Sequence, residues 1–290
     1  MPRTKSILRY PGGKTQLARF VSHLLNINQL EHPIVYCEPF SGGSGISIEL
    51  LLTNKVESII LNDLDPAIYS VWFAVLNQTD RLIDDILNIP ITIDEWYRQK
   101  EIYTTYNNHN QFNYNLALAT LFLNRTNRAG IITGGPIGGY QQTSKYTIDC
   151  RFNKQDIIKK IKLIAAQAHR IHLYMLDAKD LIHNILKVEY TPHQLFTFFD
   201  PPYYKQGHVL YKNSFSHEDH IDLYNAIRTM DNYYWITTYD YCKEIANIYS
   251  DLPPYTYQLQ YSANKIRKES EFIYKSPITL LESFDKVTLR

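Results

Sequence analysis

Four residues in the last third of the chain, Asp200-Pro201-Pro202-Tyr203, are of the types needed to hold an amino group for reaction. They follow an apolar and aromatic run at 195–199 that predicts a buried strand, so we expect the Asp200 carboxylate at the carboxyl edge of a sheet. Prolines fix φ near about −65° and carry no N–H, which leaves the local carbonyls free to face a ligand. The Asp200 carboxylate and the Pro201 carbonyl could then accept the two hydrogens of an amino group.

An amino group on a purine such as adenine is a poor nucleophile, because its lone pair is delocalised into the ring. Two acceptors on its hydrogens would localise that lone pair for in-line attack on a sulfonium methyl group. A base in duplex DNA must first leave the stack, at a cost of about a few kcal/mol, and the ring of Tyr203 offers a stacking surface. The alternative is that the tetrad is only a structural turn.

A second motif, Glu38-Pro-Phe40-Ser-Gly42-Gly-Ser-Gly45, follows a predicted strand and opens a predicted helix, which is the layout of a nucleotide-binding turn. It lacks the third glycine of the dinucleotide form, because Ile48 stands there. Asp63 ends the next strand, where an acid can accept hydrogen bonds from ribose hydroxyls. Together the two features indicate an adenosyl cofactor. Either one alone is equally typical of a glycine turn or a solvated strand-end acid.

Near the start of the chain, Arg9-Tyr10-Pro-Gly-Gly-Lys14-Thr15 resembles the end of a phosphate-binding loop. That interpretation fails, because Leu8 stands where the signature requires a glycine and no buried strand precedes it.

Strands must position these residues. Short apolar, β-branched or aromatic runs that end in an acid recur at 34–38, 58–63, 172–177 and 195–200, and helical patterns occupy 13–25, 44–52, 66–76, 154–168 and 217–230. This alternation predicts a doubly wound sheet. Segments 233–239, 255–261 and 271–274 predict further strands, the final two antiparallel. Thr92 and Ser216, each three residues ahead of a carboxylate, predict helix starts.

Between 66 and 149 the alternation of strand and helix stops, which predicts an inserted subdomain. Its glycine-rich stretch, Gly130-Ile-Ile-Thr-Gly-Gly-Pro-Ile-Gly-Gly-Tyr140, permits positive φ and close approach of the backbone to a partner, as in a hairpin or loop that meets a surface. A passive connecting loop is the alternative.

Composition excludes several other classes. Apolar residues make up 44% and charged residues 20% of the 290, which is ordinary for a globular protein. No apolar run approaches the roughly 18 residues of a membrane span, and no signal peptide precedes the first motif, so we expect a cytoplasmic protein. The three cysteines form no CxxC pair, and the HExxH pattern is absent, so we expect neither a disulfide framework nor a metal site.

The formal net charge is only +1, so contact with nucleic acid would require a local patch. Between Thr120 and Arg170, nine basic residues and two acidic ones leave a local charge of +7. Lysines at 159, 160 and 162 fit a solvated helix face. The others, with nearby polar residues, are candidates for DNA contact, which we assign to Arg125, Asn127, Arg128, Tyr140 and Lys145.

The motifs in their order resemble one family, the Dam-like or alpha-group DNA adenine methyltransferases. The matching segments are Tyr10-Pro-Gly-Gly-Lys14, Glu38-Pro-Phe-Ser-Gly-Gly43, Asn62-Asp63, Lys179-Asp180-Leu181 and Asp200-Pro-Pro-Tyr203. The resemblance implies an α/β, Rossmann-like methyltransferase core with a mixed, mostly parallel sheet at 1–65 and 150–290. A mainly helical target-recognition subdomain at 66–149 would interrupt it. Implied partners are double-stranded DNA and, for a restriction–modification enzyme, a cognate restriction endonuclease.

The resemblance also implies roles for single residues. S-adenosylmethionine would be the cofactor, with Asp63 on its ribose and Asp180 on its adenine, or Asp177 as the alternative. Asp200 would touch both cofactor and target base, beside Pro201 and Tyr203. The implied cofactor-binding set is Tyr10, Lys14, Glu38, Phe40, Gly42, Asp63, Asp180 and Asp200.

The chain departs from the best-known members in two places. Tyr10-Pro11 stands where they often carry tryptophan and alanine, and the segment from Asn124 to Tyr140 only loosely resembles the hairpin of the members that methylate GATC. The resemblance therefore does not imply a GATC target.

Other functions remain as alternatives. A cytosine-ring methyltransferase is excluded, because the cysteines follow Tyr36, Asp149 and Tyr241 rather than a proline. A cytosine amino-group enzyme shares the chemistry, although that group more often has serine in place of Asp200. RNA or protein amide substrates rank lower. A sequence-specific DNA-binding protein without turnover is the rival from another class, which the intact tetrad and Lys14 argue against.

Overall fold

A computed structural model describes residues 4–9, 14–205, 215–261 and 267–290 of the chain. The strands are β1 Val35–Glu38, β2 Ser58–Asn62, β3 Ile171–Tyr174, β4 Leu195–Phe199, β5 Tyr234–Asp240, β6 Tyr255–Tyr261 and β7 Arg267–Lys275. They form one sheet in the order β3-β2-β1-β4-β5-β7-β6. Strands β1 to β5 run parallel, and β7 lies antiparallel between β5 and β6. The predicted mixed, mostly parallel sheet is confirmed, as is the antiparallel final pair.

The α-helices are α1 Ala18–Ile27, α2 Gly45–Leu52, α3 Pro66–Asn77, α4 Thr79–Asn88, α5 Ile93–Tyr106, α6 Tyr114–Thr126, α7 Lys154–Ala165, α8 Ala178–Leu181, α9 Lys187–Glu189, α10 His217–Arg228 and α11 Lys243–Ile248. A π-helical turn, Ile182–Leu186, joins α8 to α9, and 3₁₀ turns occur at Lys14–Leu17, Arg128–Gly130, Ile148–Arg151 and Ala168–Arg170. The Thr92 side chain caps α5, and Ser216 and Asp219 form a complete capping box at α10. Both predicted helix starts are confirmed.

Strand β4 shows why these runs form buried strands. Its five residues are all buried, and successive side chains point to opposite faces of the sheet. Phe196 and Phe198 join the hydrophobic cluster that contains α1 to α7, whereas Leu195 and Phe199 join the cluster that contains α8, α10 and α11. Helices cover both faces, so the strand is apolar along its length rather than alternating.

The strand order reverses between β1 and β4. The chain runs outward from β1 through β2 to β3 and then returns to β4 on the other side of β1. In doubly wound sheets, ligands bind beyond the carboxyl ends of the strands at this point. Glu38 ends β1 and Asp200 directly follows β4, so the fold brings both sequence motifs to the position where a ligand is expected.

The segment between β2 and β3 is mainly helical, as predicted. Residues 66–149 are all described and contain no strand; the glycine-rich stretch is a loop with one isolated bridge, Asn127 to Pro136. Helix α6 packs against α3 and α5, and its residues belong to the same hydrophobic cluster as α1 and α2. Because one cluster joins insertion and core, the division into domains at 66 and 149 stays a prediction.

In the described part of the chain, each helix is too short or too polar to cross a bilayer. The predicted cytoplasmic location stays a prediction.

Candidate active site

Asp200 lies at the centre of a group of polar side chains beyond the end of β4. It is half-buried, and its Oδ1 accepts a 2.7 Å hydrogen bond from Thr238 Oγ1 on β5. The ammonium of Lys14 lies 3.6 Å from the same oxygen. Burial raises the pKa of Asp200 to about 6, with Lys14 opposing the rise and the charge of Glu271 adding to it. The carboxylate is therefore mostly ionised at neutral pH, as the acceptor role predicted from the sequence requires.

The backbone after the tetrad is fixed by a second acid. Asp240, the last residue of β5, accepts hydrogen bonds from the backbone N–H groups of Tyr204 at 2.9 Å and Lys205 at 3.0 Å. One carboxylate thus satisfies two consecutive donors of an irregular segment. The segment that follows β4 is therefore fixed at two points, by the hydrogen bond from Thr238 to Asp200 and by the bonds from Tyr204 and Lys205 to Asp240.

Lys14 and Tyr203 meet at a third acid, Glu271 of β7. Lys14 Nζ lies 2.8 Å from Glu271 Oε2, and the Tyr203 hydroxyl donates to Oε1 at 2.7 Å. Lys14 Nζ also contacts the Tyr203 hydroxyl and lies 4.7 Å from the centre of its ring. The structure therefore brings together the predicted residues Lys14, Asp200 and Tyr203. The predicted Tyr10 lies outside the described residues.

The loop after β1 adopts the sharp turn that its glycines permit. Gly42 has a φ of 44°, and its N–H donates to Asp63 Oδ2 at 2.8 Å. Asp63 Oδ1 accepts a second backbone N–H, from Asp65, at 3.0 Å. Burial and the charge of Asp65 raise the pKa of Asp63 to about 7. Because a carboxylate has about four acceptor sites, Asp63 keeps capacity for ligand hydroxyls while it holds the loop.

Glu38 is buried at the base of this loop. Its Oε1 accepts a 3.1 Å hydrogen bond from the Tyr36 hydroxyl. Burial raises the pKa of Glu38 to about 8; the nearby polar groups of Ser47 and the hydrogen bond from Tyr36 oppose this rise, and the charge of Asp200 adds to it. Phe40, half-buried in the same loop, packs edge-on against Phe215 with 5.9 Å between ring centres.

Asn62 ties three strand ends together. Its Nδ2 donates to the carbonyls of Pro39 and Leu176, both at 2.9 Å, and its Oδ1 accepts from the N–H of Leu176 at 2.9 Å. Pro39 follows β1, Asn62 ends β2, and Leu176 follows β3. One buried amide therefore fixes the spacing of the loops at the carboxyl edge.

A cleft opens beside these loops. Its lining combines apolar side chains with two acids and a lysine: Leu64, Asp177, Ala178, Lys179, Phe215, Asp219 and Leu223. Asp177 Oδ1 caps α8 by accepting from the Lys179 N–H at 2.8 Å. Asp180, the residue predicted for the cofactor adenine, is exposed and is not part of this lining. Of the two acids considered from the sequence, Asp177 is the one at the cleft.

The N-terminal segment is docked onto the glycine loop. The Ser6 hydroxyl donates to the Gly43 carbonyl, and a Cβ atom on Gly45 would lie only 2.0 Å from Thr15 Oγ1. Gly45 is thus required for close approach of the segment that carries Lys14.

Two residues predicted to contact DNA are instead internal. Asn127 is fully buried; its Oδ1 accepts from Trp96 Nε1 at 2.6 Å, and its Nδ2 donates to three loop carbonyls, those of Ile131, Ile132 and Gly134. Both donor hydrogens of this amide are used inside the loop, and its complete burial keeps it from reaching a base. The prediction for Asn127 is at odds with this geometry, because its side chain shapes the loop from inside.

Arg125 is also internal. It is 8% exposed, and its guanidinium donates to the carbonyls of Arg151 at 2.9 Å and Ile7 at 3.4 Å. Burial and the nearby charge of Arg9 lower the pKa of Arg125 to about 10. The assignment of Arg125 to DNA contact therefore disagrees with its position in the fold.

The remaining candidates, Arg128, Tyr140 and Lys145, are exposed. Tyr140 is 56% exposed and stacks on Tyr97 of α5, with 6.2 Å between ring centres. Two of the nine basic side chains are already engaged by backbone, since Lys154 donates to the carbonyls of Leu87 and Ile89, and Arg170 to those of Val56 and Glu57.

Asn124 links the insertion to the N-terminal segment. Its Oδ1 accepts from the Arg9 N–H at 2.8 Å, while its Nδ2 donates to the carbonyls of Arg9 at 2.8 Å and Gly130 at 2.9 Å. Asn124 is completely buried.

Sequence reasoning missed Thr238, Asp240 and Glu271. The sequence held one indication of a role for them, which is that an acid such as Glu271 is unusual inside an aromatic and β-branched strand pattern. Among the described residues, no three His, Cys, Asp or Glu side chains are grouped so as to hold a metal ion.

Comparison with known proteins identifies relatives. The sequence model of a family described as D12 class N6 adenine-specific DNA methyltransferase matches residues 10–277. The Type II methyltransferase M.MjaIII of Methanocaldococcus jannaschii is 24% identical over 251 residues, which cover 78% of this chain and 80% of that protein. Two solved structures of the rRNA methyltransferase aviRa from Streptomyces viridochromogenes cover 91% and 90% of this chain and 86% of their own, with TM-scores of 0.40 and 0.39 and identities of 12% and 11%.

Proposed function

The chain belongs to the D12 class of N6 adenine-specific DNA methyltransferases, and on that basis we propose that Asp200 and the Pro201 carbonyl hold the amino group of the target adenine during methyl transfer. The resemblance stated from the motifs is thereby confirmed, and so is adenine-specific DNA methylation as the activity. The observation that carries the proposal is the position of Asp200. It follows β4 at the reversal of strand order, where Thr238 fixes one carboxylate oxygen.

We propose S-adenosylmethionine as the methyl donor; when bound, it supplies an electrophilic methyl group on a positively charged sulfur. The cleft fits an adenosyl group, because Leu64 and Phe215 offer apolar surface and Asp177 a hydrogen-bond acceptor. Asp63 would accept from the ribose hydroxyls, and Gly42 and Phe40 would border the ligand. The acids beyond the strand ends favour a cationic ligand electrostatically.

Different residues of the tetrad would act on different parts of the target base. Asp200 and Pro201 would accept the two amino hydrogens, which localises the nitrogen lone pair. Tyr203 would stack on the base after it leaves the duplex, which repays part of the cost of about a few kcal/mol for unstacking. The proton released from the methylated nitrogen would pass to the Asp200 carboxylate, since no other ionised group is proposed to touch that nitrogen.

We propose that the insertion contacts double-stranded DNA through Arg128, Tyr140 and Lys145. These residues combine exposed cations with an aromatic side chain, and cations on this surface would contact phosphates or guanine edges. The exposed Tyr97, stacked on Tyr140, extends the surface. Similarity to a Type II methyltransferase supports the predicted cognate restriction endonuclease as a partner.

The test is transfer of a labelled methyl group from S-adenosylmethionine to duplex DNA, followed by nucleoside analysis. Label in N6-methyladenine is expected with the unaltered chain, and its loss with Asp200→Ala. The matched control is Asp285→Ala, which removes an exposed acid paired with Arg19 and outside the proposed site. Label in N4-methylcytosine, or full transfer by Asp200→Ala in a protein that melts normally, would reject the assignment.

A further inference from the structure

Glu271 is a buried acid that the sequence did not single out. It lies on β7, opposite Asp240 of β5 and Tyr257 of β6, and is 1% exposed. Within the described residues its two oxygens accept from three parts of the chain: Lys14 Nζ at 2.8 Å and the Tyr257 hydroxyl at 2.5 Å on Oε2, and the Tyr203 hydroxyl at 2.7 Å on Oε1. One carboxylate therefore joins the N-terminal segment, the tetrad and the C-terminal hairpin.

Stability alone does not account for this arrangement. Lys14 is only 6% exposed, so the Lys14–Glu271 pair is desolvated on both sides. Burying two charges costs several kcal/mol per ion, and apolar residues of similar volume often replace such pairs without loss. The pair lies within reach of Asp200, the residue proposed to hold the target amino group, which indicates a functional reason for it.

The geometry shows how Glu271 affects Asp200. Lys14 Nζ is closer to Glu271, at 2.8 Å, than to Asp200, at 3.6 Å. Without the negative charge of Glu271, Asp200 would be the remaining carboxylate close to the ammonium in the described part of the chain, and Lys14 would compete for the oxygens that the target amino group needs. The same change would weaken the hydrogen bond that Glu271 accepts from the Tyr203 hydroxyl, and so loosen the ring proposed to stack on the base.

We propose that Glu271 is a positioning residue for methyl transfer. It holds Lys14 back from Asp200 and anchors Tyr203 through its hydroxyl, so that acceptor and stacking surface keep their relative placement. This inference rests on the proposed role of Asp200. Glu271 itself touches neither the amino group nor the methyl group.

The test is Glu271→Gln in the full chain, measured as single-turnover methyl transfer and as the pH profile of kcat/KM. We expect the single-turnover rate at saturating S-adenosylmethionine to fall by about tenfold to a hundredfold, as for a small misplacement of reacting groups. The acid limb should move to lower pH, because the charge of Glu271 raises the pKa of Asp200. If the substitution only reduced the amount of folded protein, the amount of product formed in a single turnover would fall, but the acid limb of the pH profile would stay at the same pH.

A wild-type rate with an unmoved acid limb would overturn the proposal. Should Glu271→Gln fail to fold, Tyr203→Phe decides, because it keeps the ring and removes only the anchoring hydroxyl. A reduced rate then supports the proposal, and full activity overturns it. The matched control is Tyr274→Phe on the same strand, whose hydroxyl has no hydrogen-bond partner among the described residues. Turnover by Asp200→Ala would instead reject the proposed function itself.

Discussion

The Thr238 hydroxyl donates a 2.7 Å hydrogen bond to Asp200 Oδ1, and both residues lie at the carboxyl edge of neighbouring parallel strands. Thr238 is completely buried, so its side chain can serve only this interior contact. The bond both orients the carboxylate and favours its ionised form. Two expectations about pH follow from this relationship.

The first concerns the unaltered protein. Asp200 must be ionised to accept from an amino group, and burial raises its pKa to about 6 from the ordinary 3.8. We expect kcat/KM to decline as the pH falls through about 6, because the protonated acid loses an acceptor. The measurement is initial rate against pH at subsaturating DNA. A profile that stays flat down to pH near 4.5, about the ordinary range of a carboxyl group, would contradict the role of Asp200.

The second concerns Thr238→Val, which removes the hydroxyl at nearly constant volume. Because the hydrogen bond lowers the pKa of Asp200, its loss should move the acid limb to higher pH, opposite to the shift expected for Glu271→Gln. Activity at neutral pH should decrease by about a few-fold. Thr197→Val is the control, since that buried hydroxyl lacks a partner among the described residues. An equal effect of both variants would show that the change is only one of packing.

Arg128→Ala and Arg125→Ala should separate DNA contact from folding. Arg128 is exposed on the insertion, so its removal should weaken DNA binding and reduce the salt slope by about 1, with unchanged melting. Arg125 is buried on backbone carbonyls, so its removal should lower the free energy of unfolding by about 2 kcal/mol. The measurements are binding against salt and denaturant unfolding. Identical behaviour of the two variants would refute the distinction.

Tyr203→Ala removes the proposed stacking ring. We expect methylation of duplex DNA to drop by about fivefold to a hundredfold, because stacking on an aromatic ring is worth about 1–3 kcal/mol per base. A substrate whose target base is already unpaired should lose less. The comparison of the two substrates is the measurement, and Tyr106→Ala, at the end of α5 and outside the tetrad, is the control. An equal loss on both substrates would point away from stacking.

Local sequence patterns were sufficient to predict the strands, turns and helix starts that position the site. The run at 195–199 predicted β4 and the edge position of Asp200, because burial on both faces leaves a continuous apolar signature that is readable from the chain alone. The motif after β1 likewise predicted the turn that Gly42 forms. The helix starts at Thr92 and Ser216 were readable because caps involve residues only three apart.

Contacts between distant parts of the chain were not readable. Lys14 and Glu271 are 257 residues apart, and nothing in either neighbourhood indicates the other. The prediction of DNA contact by Arg125 and Asn127 disagrees with the structure for a related reason. Polar residues near a helix end are typical of a surface, but α6 is buried by α3, α5 and the loop that follows it. Whether such a residue faces solvent depends on which distant segments pack over it. A count of charges along the sequence gives no information about that packing.

The single amide of Asn124 gives the molecule a mechanical linkage. It accepts from and donates to the backbone of Arg9 and also donates to the carbonyl of Gly130, so the loop that would face the double helix and the N-terminal segment share one buried anchor. A polar group left unpaired at a buried position costs about 1–3 kcal/mol. Displacement of either segment is therefore opposed by the same side chain.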